Sequence, residues 1–83
     1  MKIQVIKNTS GFKKLEKDWN RLYALSSSVF QSFEFNFLSW KDELGHIVSN
    51  QLAVVTILDK NEICAIFPFY VDTNKHLRFI NDT

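Results

Sequence analysis

Two consecutive segments, residues 51–58 and 62–71, are apolar on both faces when they are placed in β-strands. In the first segment one face carries Leu52, Val54 and Leu58, and the other carries Ala53, Val55 and Ile57. In the second, Cys64, Ile66 and Tyr70 oppose the set Ile63, Ala65, Phe67, Phe69 and Val71. A sheet with one face in water alternates apolar with polar residues. These strands therefore predict a sheet that needs cover on both faces.

Turn residues join these segments to each other and to a final strand. Asp59, Lys60 and Asn61 separate the two segments and predict a β-hairpin. A second turn at residues 72–75 leads to a short strand at residues 76–80. Near the N-terminus, residues 2–7 contain Ile3, Val5 and Ile6 and predict the first strand of the sheet.

The intervening residues have the apolar spacing of two amphipathic helices. The first helix is predicted from near Thr9 or Ser10, either of which can serve as its N-cap, to about Leu25. Its apolar face is formed by residues at steps of three and four: Phe12, Leu15, Trp19, Leu22 and Tyr23. The second helix is predicted from Ser32, as N-cap, to Leu44, with Gly45 as a left-handed C-terminal cap. Its buried face holds Phe33, Phe37, Trp40 and Leu44.

The predicted fold is therefore α+β, in the order β-α-α-β-β-β, with an antiparallel meander and two helices on one sheet face. Residues 1–83 form a single domain. Two adjacent helices can cover only one face of the sheet. The other face is expected to pack against the remainder of the chain's own domain or against a second copy of the chain.

Composition and charge exclude several classes of protein. Hydrophobic residues make up 46% of the 83 residues and aromatic residues 14%, enough for a small core. A net charge of +1 predicts no nucleic-acid partner. No apolar run approaches the ~20 residues of a membrane span. The lone Cys64 excludes an internal disulfide, and we predict a cytoplasmic protein.

Residues that would carry chemistry are mostly missing from the sequence. The only glycines are Gly11 and Gly45, so there is no glycine-rich phosphate loop. His46 and His76 lie far apart without metal-ligand spacing, and we predict no metal site. Cys64 lies in an apolar strand and is expected to behave as a small hydrophobic residue. Pro68 cannot donate to a ladder, so a bulge or an unpaired stretch is expected there.

A series of aromatic and apolar anchors runs through the chain: Trp19 followed by Leu22, the stretch Phe30-Gln31-Ser32, a helix holding Trp40, and then Ala65-Ile66-Phe67-Pro68-Phe69 and Leu77-Arg78-Phe79-Ile80. In this series the chain resembles the N-terminal region of GNAT-superfamily acyltransferases of the CelD-like and FemAB-like kind. The family's Phe-x-Ser-x-x-Trp phrase would place its tryptophan where this chain has Phe35. The family's glycine after Phe79-Ile80 is replaced by Asn81.

The resemblance implies the N-terminal half of an acyltransferase domain that transfers an acyl group from acyl-CoA, such as acetyl-CoA, to an amine or hydroxyl. The family's spaced-glycine loop for the CoA pyrophosphate is not among these residues, so the resemblance assigns no catalytic or cofactor-binding residue here. The chain alone is expected to be inactive. Phe30, Gln31 and Trp40 are the candidate acceptor-side residues.

Two alternatives stay open from the residues. Phe30 and Ser32 can form a hydrophobic staple and N-cap without touching any substrate. The whole chain can also be a self-sufficient α+β interaction module that dimerises rather than part of an enzyme.

Overall fold

A computed structural model describes residues 1–25 and 31–81, and it confirms an α+β fold. The elements are β1 (Lys2–Ile6), α1 (Thr9–Lys13), α2 (Glu16–Ala24), α3 (Phe33–Asp42), a 3₁₀ turn (Leu44–His46), β2 (Gln51–Asp59), β3 (Glu62–Val71) and β4 (Leu77–Phe79). The four strands form one antiparallel sheet in the order β1-β2-β3-β4. None of the helices described here has the length and apolarity needed to cross a bilayer.

The first predicted helix is divided into α1 and α2 at Lys14 and Leu15. Its N-cap is Asn8, whose side chain accepts from Gly11 N at 2.7 Å, so the prediction of Thr9 or Ser10 was wrong. Leu15 N donates to Phe12 O, a tightened turn, before the α-helix resumes with Trp19 N donating to Leu15 O. No glycine or proline marks this break. Packing of Phe12, Leu15 and Trp19 against one core outweighs helical continuity.

The second predicted helix is α3, and only its start matches the prediction in detail. Ser32 is the N-cap, and its hydroxyl accepts from Phe35 N at 3.2 Å. Gly45 is not a left-handed cap, because no glycine has a positive φ and Gly45 lies within the 3₁₀ turn. Glycine is needed at position 45 because there is no room for a side chain: a Cβ there would lie 2.8 Å from Trp40 O.

The core lies between the helices and one face of the sheet, which we call the inner face. Its buried residues from the strands are Leu52, Val54, Thr56, Ile66, Pro68 and Tyr70. Aromatic rings from the helices fill the other side. Phe12 stacks on Trp19 with ring centroids 5.7 Å apart, and Phe33 meets both edge-on. The face assignment predicted for β2 is confirmed.

The register of β3 differs from the predicted alternation because of a bulge. Ile57 pairs with Ala65 and Leu58 pairs with Ile63, which leaves Cys64 as the extra residue. Ile63 therefore turns toward the core, whereas strict alternation placed it with Phe67. Cys64 is exposed and donates to Ile57 O at 3.3 Å.

Pro68 is not the site of that bulge. It pairs in register with Val54 of β2, and its carbonyl accepts from Ile80 N at 2.8 Å on the β4 side. The N–H and C=O of one strand residue face the same neighbour. The donor that Pro68 lacks therefore faces β4, and the β3–β4 register stops at Phe69 and Phe79. The predicted interruption occurs on this one side only.

Candidate functional site

The largest candidate surface is the sheet face turned away from the helices, which we call the outer face. Cross-strand partners share a face, so the registers assign it directly. Its residues are apolar along all four strands: Ile3, Val5, Ala53, Val55, Ile57, Ala65, Phe67, Phe69, Val71, Leu77 and Phe79. The polar residues of this face lie at the strand ends: Gln51 at one end of β2, and Asp59 with its partner Glu62 at the other. Within residues 1–25 and 31–81, no helix covers this face. The prediction of a one-sided helical layer fits this arrangement.

Exposure on the outer face is high for large apolar side chains. Ile3 is 66% exposed, Leu77 59% and Phe67 37%. The rings of Phe67 and Phe69 stack with centroids 6.1 Å apart, and Phe69 lies 4.5 Å from Phe79. A row of three rings thus crosses β3 and β4, while β1 and β2 present no aromatic residue on this face. Contiguous exposed apolar surface is typical of interaction sites and ligand-binding grooves, so the outer face is a candidate site.

The sequence-predicted acceptor residues do not converge on one groove. Phe30 lies outside the described residues. Gln31 is exposed, has a φ of 65°, and accepts at its carbonyl from Trp19 Nε1 at 3.0 Å. Trp40 is only 7% exposed and donates from Nε1 to Thr9 Oγ1 at 3.3 Å. At about 1.5 Å of rise per residue, Gln31 and Trp40 sit at opposite ends of α3.

A groove along the exposed side of α3 is a second candidate surface, which we call the α3 groove. It has a volume of about 420 Å³ and is lined by Ser32, Glu34, Phe35, Leu38, Ser39, Asp42 and Glu43. Phe35 is 52% exposed and Leu38 42%. Sequence reasoning passed over Phe35 in favour of Trp40. The signal that could have found it was the motif spacing, which places the family's tryptophan at Phe35.

Trp40 borders a different cavity at the end of the sheet. This cavity has a volume of about 550 Å³ and is lined by Lys7, Trp40, Asn50, Gln51, Leu52, Ala53 and Val71. The Trp40 ring also lies 6.3 Å from the ring of Tyr70 in the core. Its burial and its partners indicate a structural role for Trp40, with one edge available to this cavity.

A buried polar network ties the end of the sheet to α3. Asn81 donates to Asn36 Oδ1 at 3.1 Å and accepts from Ser39 Oγ at 3.0 Å. Asn36 is fully buried and donates to Ser32 O at 2.9 Å. Asn81 stands where the resembling family has glycine, and here its side chain satisfies polar groups that burial would otherwise leave unpaired. The network is structural.

A set of charged and backbone contacts surrounds Asp72, in the turn between β3 and β4. Its carboxylate accepts from Arg78 Nε at 2.5 Å and from the backbone N–H groups of His76 and Asn74, both at 2.9 Å. The Arg78 contact, followed by the His76 N–H, holds the pKa of Asp72 below its usual range. Desolvation acts in the opposite direction and is outweighed. The arrangement shapes the turn.

Metal chemistry finds no support among residues 1–25 and 31–81, where no group of His, Cys, Asp and Glu side chains could hold an ion. No family model, no curated protein and no solved structure matches this chain. The outer face and the α3 groove are therefore the two candidate functional surfaces.

Proposed function

We propose that this chain is the N-terminal half of a GNAT-like acyltransferase domain and forms the acceptor-side wall of its cleft. The observation that carries the proposal is the one-sided sheet, with helices inserted after the first strand and an antiparallel meander after the helices. That order is the one the resemblance implies. Later elements of such a domain would cover the outer face and supply the acyl-CoA site.

The α3 groove is the proposed acceptor wall. Its lining includes two exposed apolar side chains, Phe35 and Leu38, and three carboxylates: Glu34, Asp42 and Glu43. None of the groove's lining residues is basic. This pattern suits an amine acceptor better than an anionic one, because a cationic amine is drawn toward the carboxylates. Gln31 directly precedes Ser32, which lines the groove.

The acyl donor would be bound by a segment outside these 83 residues. Tight binding of a pyrophosphate needs several converging N–H donors, usually at a helix N-terminus reached by a glycine-rich loop. The N-terminus of α3 begins with Ser32, whose side chain already accepts from Phe35 N. We expect calorimetry to find no micromolar binding of acetyl-CoA to the 83-residue chain. Micromolar binding would contradict the half-domain proposal.

The decisive experiment uses the protein encoded by the full reading frame, assayed for acetyl transfer from acetyl-CoA to amines. Phe35→Ala should raise KM for the amine several-fold and leave acetyl-CoA affinity unchanged, because it removes only an apolar side chain of the α3 groove. Tyr23→Ala is the matched control, since Tyr23 is a similarly exposed aromatic residue on α2. Equal effects of both substitutions, or no acetyl transfer at all, would overturn the assignment.

A further inference from the structure

We propose that two copies of the 83-residue chain associate through their outer faces into a closed two-fold dimer. The inference concerns this chain by itself and stands apart from the acyltransferase proposal. A covering segment of a longer polypeptide would compete for the same face, so the dimer is expected where that segment is missing.

The outer face is close to the size that a specific dimer needs. Strands lie about 4.8 Å apart and rise about 3.4 Å per residue, so the 27 strand residues present about 440 Å². Two copies would bury about 900 Å² together, which is above most crystal contacts and near the roughly 1,000 Å² of a specific interface, so the fit between the two faces decides. The charged residues of this face are Asp59 and its cross-strand partner Glu62, which lie together at the hairpin end, so the rest of the face carries no charge to be desolvated.

The outer face is also complementary to itself. Its β3–β4 side carries the ring row of Phe67, Phe69 and Phe79, while its β1–β2 side carries smaller aliphatic residues. A two-fold axis parallel to the strands places β3 of one copy over β2 of its partner. Large rings then meet small residues such as Ala53 and Val55, which fills space without clashes. The result is a two-layered sheet stack with about 10 Å between sheets.

Size exclusion with light scattering at low micromolar concentration tests the dimer directly. The wild-type chain should have twice its monomer mass of 9.7 kDa. Phe67→Glu should shift it to the monomer, because a carboxylate at the centre of the interface would be buried without a partner. Phe35→Glu is the matched control, because Phe35 is also an exposed phenylalanine but lies in the α3 groove. It should leave the dimer intact.

Other outcomes overturn the inference. A wild-type monomer, open-ended aggregates, or a dimer broken by Phe35→Glu but not by Phe67→Glu would each do so. Circular dichroism checks that the variants fold. If Phe67→Glu unfolds, Phe67→Thr takes its place, because threonine keeps the β-propensity of the strand and still removes the ring. A folded Phe67→Thr chain that remains as tight a dimer as wild type also contradicts the proposal.

Discussion

Gly45 and Trp40 show how a single missing side chain fixes the end of a helix. The backbone at Gly45 approaches Trp40 so closely that a Cβ would meet Trp40 O at 2.8 Å and the indole Cε2 at 3.2 Å. The carbonyl belongs to α3 and cannot swing aside. The 3₁₀ turn therefore packs directly on the last turn of the helix, and this packing helps to bury Trp40.

We predict that Gly45→Ala lowers the free energy of unfolding by about 1–3 kcal/mol through this overlap. Gly11→Ala is the matched control, because its added Cβ also meets an atom at 2.8 Å, but that atom is the terminal Cγ2 of Ile6. This methyl belongs to a stiff, β-branched side chain and yields only in part, but it is not helix backbone, and alanine is the better helix former within α1. Gly11→Ala should therefore cost less stability than Gly45→Ala. Urea unfolding of both variants decides, and equal losses would contradict the prediction.

Local sequence patterns account for the positions of Trp40 and Phe35, but not for that of Gln31. Trp40 is an acceptor-side candidate through the family resemblance alone, and its helical spacing with Phe33 and Phe37 already assigns it to the buried face. Phe35 lies off that face, and its exposure follows from the same periodicity. Exposure of Gln31 and its positive φ depend on how the chain enters α3 beneath Trp19, a contact between distant residues that no local pattern contains.

At the scale of elements, α3 and the β2–β3 hairpin were predictable, and the details of β3 were not. The hairpin turn at Lys60 and Asn61 has φ values of 53° and 66°, as two-residue hairpin turns require. The bulge at Cys64 has no sequence signal, because every residue around it is apolar. The break between α1 and α2 was missed for a similar reason, since Lys14 and Leu15 are both good helix formers.

The β3–β4 turn gives a prediction about pH. The lowered pKa of Asp72 means that its carboxylate stabilises the folded chain at all pH values above the usual Asp range. That contribution is lost as the pH falls below this range and the carboxylate protonates. Asp72→Asn should therefore be less stable than wild type at neutral pH, and the difference should shrink in acid. Urea midpoints measured across this range test it, and a difference that grows in acid would contradict it.

At the scale of the whole molecule, the radius of gyration of 12.2 Å is close to that of a compact domain of this length. The requirement for two covering layers was predictable, because both faces of the central strands are apolar in the sequence. The sequence does not predict which molecule would provide the second layer, because complementarity between two faces depends on strand register. The register itself shifts at Cys64, which moves Ile63 off the outer face.

We predict that dilution of the chain below its dimer dissociation constant increases the fluorescence of a hydrophobic dye per chain, because each monomer exposes an outer face. The Phe67→Glu monomer should bind the dye at all concentrations, but more weakly than the diluted wild type. A titration of protein concentration at constant dye measures both. Dye fluorescence per chain that stays constant on dilution would show that the outer face is covered within each copy.

Pro68 affects whether such a sheet can polymerise through its strand edges. Two sheet faces that pack together form a closed dimer. A free strand edge, in contrast, can pair with the edge of another copy repeatedly, and the sheet then grows into a fibre. Among the described residues, the part of β3 before Pro68 pairs with no strand on its β4 side, so it is a free edge of the sheet, as is the outer side of β1. Pro68 borders this edge, has no N–H to donate to an incoming strand, and its carbonyl already accepts from Ile80 N. The bulge at Cys64 distorts the edge itself. The chain thus leaves its apolar face available for association while making this edge a poor template for polymerisation.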